Sequence, residues 1–166
     1  MAEETKIKDV ALVEESPLEE EPPFHLEKYP DGTGLLFIAK GMSVFCYKIL
    51  LELKFLIDYR GHTKNITALA FDVGTQYLFT AGEDKTIRVW NVKTGLEVCE
   101  KYDEEKDDVF GPLGDIQELR FHPGRQILYA RSDNRVRAFQ VGTVLIPIWD
   151  RGGVQPGMIQ NSVKFI

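Results

Sequence analysis

The stretch Arg60-Gly-His-Thr-Lys-Asn-Ile-Thr-Ala-Leu-Ala-Phe-Asp-Val-Gly-Thr-Gln-Tyr-Leu-Phe-Thr-Ala-Gly-Glu-Asp-Lys-Thr-Ile-Arg-Val-Trp90-Asn91 sets the fold class of this chain. Ile66, Ala68 and Ala70 alternate with Thr67, Leu69 and Phe71 in a run of strand length, apolar enough to be buried on both faces. A Gly-containing turn over residues 72–75 leads to a second run, Tyr77 to Ala81. Gly82-Glu83-Asp84-Lys85 then turns tightly, because Gly tolerates positive φ and Asp bonds back to its own backbone. Thr86 to Trp90 return as a third strand, and the turn Lys93-Thr94-Gly95 introduces an outer strand from Leu96 to Tyr102. The result is one antiparallel four-stranded sheet.

Gly61-His62 at the start and Trp90-Asn91 at the end, with Asn in place of the usual Asp, resemble one complete repeat of the WD-repeat β-propeller family. The resemblance implies an all-β fold of antiparallel four-stranded blades. It also implies a buried hydrogen-bond chain through His62, Thr80, Asp84 and Trp90, with every polar group in the blade partnered. A His beside a carboxylate also suits a catalytic base, but the blade pattern already accounts for both His62 and Asp84.

Working outward, Leu35 to Ala39 and Met42 to Lys48 form a hairpin whose Tyr47 takes the place of the terminal Trp. Leu50 to Tyr59 is read as an outer strand, although its first residues also suit a short amphipathic helix. A third copy runs through Ile116 to Phe121, the turn His122-Pro123-Gly124, Gln126 to Arg131, Ser132-Asp133-Asn134, and Arg135 to Val141. Asp133 precedes Phe139 by six residues, as Asp84 precedes Trp90. Equal hairpins are therefore expected, with Tyr129 as the counterpart of Thr80 and packing alone holding this blade. Val144 to Trp149 supplies its outer strand, and residues 150–157 read as a loop. The terminal aromatics fall at positions 47, 90 and 139. Blades are thus expected over about 24–59, 60–102 and 113–150 of a propeller region 24–166, with 151–166 starting a further strand or tail.

The chain has 166 residues, 43% of them hydrophobic, and a formal charge of −6. Residues 1–23 hold eight acids against Lys6 and Lys8, which accounts for the whole excess and leaves the remainder balanced. This segment reads as a disordered acidic N-terminal tail that serves as a solubilising leader, the alternative being a docking peptide for a basic partner with Ala11-Leu12-Val13 and Leu18 as apolar anchors. No run approaches the length of a membrane helix, so no membrane insertion is expected. Cys46 and Cys99, each in an expected strand and lacking metal-ligand spacing, read as reduced thiols of an intracellular, cytoplasmic or nuclear protein.

Three blades fall short of the usual four to eight and leave open edges. The expectation is a fragment or short form of a longer propeller, a ring completed by another chain or a second copy, or a compact open structure. The family resemblance implies a non-catalytic protein-interaction scaffold, with no cofactor and no metal. Candidate partner-contact residues are Lys64, Asn65, Glu83, Ser132 and the acidic insert Asp103, Glu104, Glu105, Asp107 and Asp108. Alternatives are a propeller subunit of an RNA-acting enzyme complex, with Arg135 and Arg137 as RNA contacts, and a substrate receptor of a cullin-type ubiquitin ligase. Such receptors often end a blade with Trp-Asp-x-Arg, from which Trp90-Asn91-Val92-Lys93 departs at two positions. Nucleic acid is otherwise not an expected partner for so balanced a charge. The three histidines are scattered and no phosphate loop or nucleophile motif occurs, so no catalytic residue is assigned.

Overall fold

The computed structural model describes residues 20–152, which form twelve strands in three four-stranded antiparallel meanders. The first sheet comprises β1 (Phe24–Lys28), β2 (Gly34–Lys40), β3 (Ser43–Ile49) and β4 (Leu53–Arg60). The second comprises β5 (Ile66–Asp72), β6 (Tyr77–Gly82), β7 (Thr86–Asn91) and β8 (Tyr102–Asp103). The third comprises β9 (Glu118–His122), β10 (Ile127–Arg131), β11 (Arg135–Val141) and β12 (Leu145–Gly152). β5 packs against both β1 and β9, so the second sheet lies between the other two, as blades of a partial propeller do.

Period-two alternation gives the second sheet two buried faces. Phe71, Leu78 and Trp90 join Phe37, Val44, Cys46 and Tyr59 of the first sheet in one core. Phe79, Ala81, Ile87 and Val89 join Leu119, Leu128, Ala130 and Phe139 of the third sheet in the other. Each fully buried Leu, Ile, Val or Phe contributes roughly 1.5–3 kcal/mol relative to exposure. These two interfaces hold the stack together.

Several expectations need correction. The outer strand expected from Leu96 to Tyr102 shrinks to Tyr102–Asp103. Leu96 and Val98 still bond to β7, through Asn91 N–H to Leu96 O at 2.8 Å and Val98 N–H to Val89 O at 2.8 Å. Glu100 then leaves the ladder to bridge Val144 at the start of the third sheet's outer strand, which leaves Cys99 outside any strand. β12 continues through Asp150 to Gly152, where a loop was expected, because Asp150 and Arg151 pair with Arg137 and Val136. In the Gly82 to Lys85 turn the positive φ belongs to Lys85, at 62°. Gly82 serves by its size: a Cβ there would lie 2.9 Å from both His62 Nδ1 and Asp84 Oδ1.

The third hairpin is also shorter than expected. Ala81 pairs with Ile87, whereas Arg131 pairs with Val136, which removes one residue from the turn. Gln76 and Gln126 both adopt positive φ (59° and 55°) and both carbonyls accept from the residue two past the terminal aromatic, Val92 and Val141. Those glutamines stand 50 positions apart, whereas Trp90 and Phe139 stand 49 apart. A one-residue change exchanges the two faces of a strand. The counterpart of Thr80 is therefore Ala130, across from Arg137, and not Tyr129. The anchors at residues 11–13 and 18, and the strand start after residue 157, lie outside the described residues.

Candidate functional site

Three polar assemblies sit on this frame. In the first, the loop after β4 carries His62 beneath the β6–β7 turn. Trp90 Nε1–H donates to Thr80 Oγ1 at 2.9 Å, and Thr80 Oγ1 lies 2.7 Å from His62 Nε2. His62 Nδ1 lies 3.0 Å from Asp84 Oδ2, and Asp84 also accepts from Thr63 N–H at 3.0 Å and the Thr86 hydroxyl at 2.8 Å. Burial holds the His62 imidazole below its ordinary value, against the opposing pull of Asp84. The neutral ring suits the geometry: Nδ1–H donates to Asp84, and Nε2 accepts from the Thr80 hydroxyl, which itself accepts from Trp90. Burial alone would raise the Asp84 carboxyl, but the bonds from Thr63, Thr86 and His62 hold it below the usual range. With side-chain exposures of 1% and 5%, His62 and Asp84 meet no substrate-sized space.

The second assembly replaces this chain between the second and third sheets. Arg137, fully buried on β11, donates to Asp150 Oδ1 at 3.0 Å, Tyr102 Oη at 3.0 Å and the Gly111 carbonyl at 2.9 Å. Tyr102 donates its hydroxyl to Asp107 Oδ2 at 2.6 Å, and Arg137 Nη1 lies 3.4 Å from the same oxygen. Burial would raise the Asp107 carboxyl, yet the Tyr102 hydroxyl, the Val109 and Phe110 N–H groups and Arg137 together hold it low. The third blade is thus held by a buried ion network as well as by packing, and the expectation of packing alone is corrected.

This network removes several residues from the accessible surface. Arg137 is sealed and Arg135 is bound to Asp150, so the expected pair of RNA contacts is not presented to solvent as a pair. Asp107 is 1% exposed at its side chain and Ser132 is 3% exposed, so neither offers a partner contact. Asp103 caps the 3-10 turn Glu104–Lys106, and Glu104 accepts from Leu113 N–H at 2.7 Å. Within the acidic insert, Glu105 and Asp108 remain exposed.

The third assembly is open. The loops joining β2 to β3, β4 to β5, β6 to β7 and β8 to β9 share one rim, where Ile66 N–H donates to Gly41 O and Glu83 N–H donates to Asn65 O, both at 2.8 Å. They enclose a cleft of about 500 Å³ lined by Glu20, Glu21, Gly41, Asn65, Glu83 and Asp115, among others. Lys64, Asn65 and Glu83 are exposed on this rim, and Lys85 bonds to Asp115. Burial raises Cys46 and Cys99 to about 11, which makes them poor nucleophiles and poor ligands. Among the described residues, no cluster of three or more His, Cys, Asp or Glu side chains is placed to hold a metal ion, and no helix is long and apolar enough to cross a membrane.

Residues 53–91 match the family model for the WD domain, G-beta repeat. That span runs from β4 to β7, so the family's repeat begins in the first sheet and ends in the second. Residues 53–91 thus form one WD repeat, and the three four-stranded sheets are consistent with blades of a partial β-propeller. It is 32% identical over 52% of its length to the Target of rapamycin complex subunit wat1 of Schizosaccharomyces pombe, covering 25% of that protein. It is 32% identical over 42% of its length to the Ribosome biogenesis protein ERB1 of Meyerozyma guilliermondii, covering 8% of it. It is 28% identical over 57% of its length to the Pre-mRNA-processing factor 19 of Bos taurus, covering 18% of it. The chain therefore spans a quarter or less of each of these relatives.

Sequence reasoning missed the roles of Arg137, Tyr102 and Asp150. A signal was present, because Arg88 and Arg137 each stand two residues before a terminal aromatic and so share its inward face.

Proposed function

We propose that this chain is a non-catalytic protein-interaction scaffold in an intracellular multi-protein assembly, and that partners engage the rim cleft formed by residues 20–23, 39, 41, 65–67, 83 and 115–117. The observation that carries this reading is the division of polar groups. The His62–Thr80–Asp84–Trp90 chain and the Arg137 network are buried and bonded internally, whereas Lys64, Asn65 and Glu83 stand exposed around an open cleft. The relatives support an assembly role, since their names describe a complex subunit, a ribosome biogenesis protein and a pre-mRNA-processing factor.

A second reading, a subunit of an RNA-acting complex, is favoured by two of those names. In it the chain holds proteins together, because Arg120 and Arg131 are tied to Glu118 and Arg137 is sealed. A role as a cullin-ligase receptor gains no support from the side chains of Asn91 and Lys93, since the Asn91 carboxamide caps its own turn by accepting from the Lys93 and Thr94 N–H groups.

The test is recovery of partners from cell extract with the full chain, its Glu21→Lys/Glu83→Lys variant and a Lys93→Glu variant on the opposite rim. Partners recovered with the native and Lys93→Glu chains but lost with the double variant support the rim. Equal recovery with all three sinks it.

A further inference from the structure

The chain's own repetition points to a second interaction surface, which stands independently of the rim. Trp90 packs on the first sheet, and Phe139, at the matching position, packs in the core shared with the second. Tyr47 is the matching residue of the first sheet, because it pairs with Leu36 as Trp90 pairs with Leu78 and Phe139 with Leu128. Tyr47 therefore lies on the face of the first sheet turned away from the second. Strand pairing places Phe24 and Leu26 of β1, Leu36 and Ile38 of β2, Phe45 of β3, and Leu53 and Phe55 of β4 on that same face. Phe24, Leu26, Leu53 and Phe55 are between 42% and 57% exposed. Phe45, Tyr47 and Phe55 form a tilted and edge-to-face aromatic group, and Lys40 Nζ lies 5.3 Å from the Phe45 ring centre.

Such a face matches the pattern that buries the other two blades, yet it is open. From strand spacing and rise its flat footprint is about 400 Å², and the accessible surface of two such footprints is on the order of 1,000 Å², the lower limit for a specific interface. The face of the third sheet turned away from the second is a poorer match in another copy, because Tyr129, Val136 and Ala138 are only 1%, 1% and 3% exposed and the apolar side chains open there, Ile146 and Trp149 at 52% and 40%, stand on its β12 edge. An unoccupied partner face of matching apolar character is therefore found in the first sheet itself.

We infer that two copies of this chain associate by packing these faces against each other about a two-fold axis, as a sandwich of sheets. Two-fold contacts of this kind use the same patch on both subunits, and apolar sheets stack about 10 Å apart at a small angle. Phe55 and Leu26 of each copy fill the contact, and Lys40, Asp58 and Arg60 form a charged margin at one end.

The experiment is light scattering on the full chain between 1 and 200 µM, roughly the range over which an interface of this size changes occupancy. The native chain is expected to reach twice its monomer mass. Phe55→Lys and Leu26→Lys are each expected to weaken association at least tenfold, and Ile146→Lys, exposed on β12, to leave it unchanged. Melting curves confirm that each variant is folded, as expected for side chains that are half-exposed in the single chain. A monomer throughout the range overturns the proposal. So does a dimer that persists in both folded Lys variants, or one that Ile146→Lys dissociates.

Discussion

Arg137→Met removes a guanidinium while keeping most of the apolar stem that fills its space. In the native chain that guanidinium meets two carboxylates whose side chains are 1% and 5% exposed, Asp107 and Asp150. Breaking one buried pair and leaving the other charge behind costs about 3–5 kcal/mol. Two pairs are touched here, but Asp150 keeps Arg135, and Asp107 keeps the Tyr102 hydroxyl and the Val109 and Phe110 N–H groups. The loss is therefore set at the lower end, about 3 kcal/mol, which for a domain of this size lowers Tm by roughly 10 °C. Arg88 holds the matching position in the second blade, but its partner Glu97 is 35% exposed at the side chain. Arg88→Met should cost only about 1 kcal/mol. Urea unfolding at low protein concentration, followed by Trp fluorescence and circular dichroism, compares the two. A loss below about 1 kcal/mol for Arg137→Met, or one no larger than that of Arg88→Met, would refute the clamp.

Thr80→Val deprives both Trp90 Nε1 and His62 Nε2 of their shared partner and should cost about 1–3 kcal/mol in urea, with Thr80→Ser losing less. Gly82→Ala forces a Cβ toward His62 and Asp84 and should cost about 1–3 kcal/mol by overpacking, whereas Gly111→Ala, with open space but a φ of +72°, reports backbone strain alone. Because the folded value of His62 is depressed, the unfolded chain takes up its proton first as the pH falls. The stability tied to His62 is full above about pH 6.5 and is lost below it, on the way to the lower folded value. The contributions of Asp84 and Asp107 follow in more acid solution, being full above about pH 3.9 and lost as the pH falls through their lower folded values. Midpoints of urea unfolding measured from pH 8 to pH 3 check this order, and a flat profile between pH 7 and 5 contradicts the neutral, buried imidazole. Both thiols should react slowly with an alkylating reagent at neutral pH until the chain unfolds, as read by mass spectrometry.

The strands of the middle blade were legible because alternation and turn chemistry agree there, from Ile66 through Trp90. β4 was readable as a strand for the same reason, despite its helix-like start. The outer strand of the second blade was not, since what interrupts it is Glu100 bridging Val144, a contact that no local pattern encodes. Counting from Asp133 aligned Tyr129 with Thr80, because the count assumed equal turns. Only the two glutamines at the preceding turns fix the shortened hairpin. Burial of the acidic insert was likewise hidden: Asp107 reads as solvated in a run of charges, and its partner Arg137 lies thirty residues on. Lys64, Asn65 and Glu83 were readable as exposed turn residues. Their meeting with Glu20, Glu21 and Asp115 around one cleft depends on how three sheets stack.

Whether a rigid three-blade frame holds partners at one rim is tested most directly by hydrogen exchange on the full chain alone and in its isolated assembly. Added protection at residues 61–65, 83–85 and 115–117, over strands that exchange slowly in both states, is the predicted result. Added protection confined to the opposite loops at 73–76, 92–95 and 123–126, or strands that exchange freely in the chain alone, would contradict it.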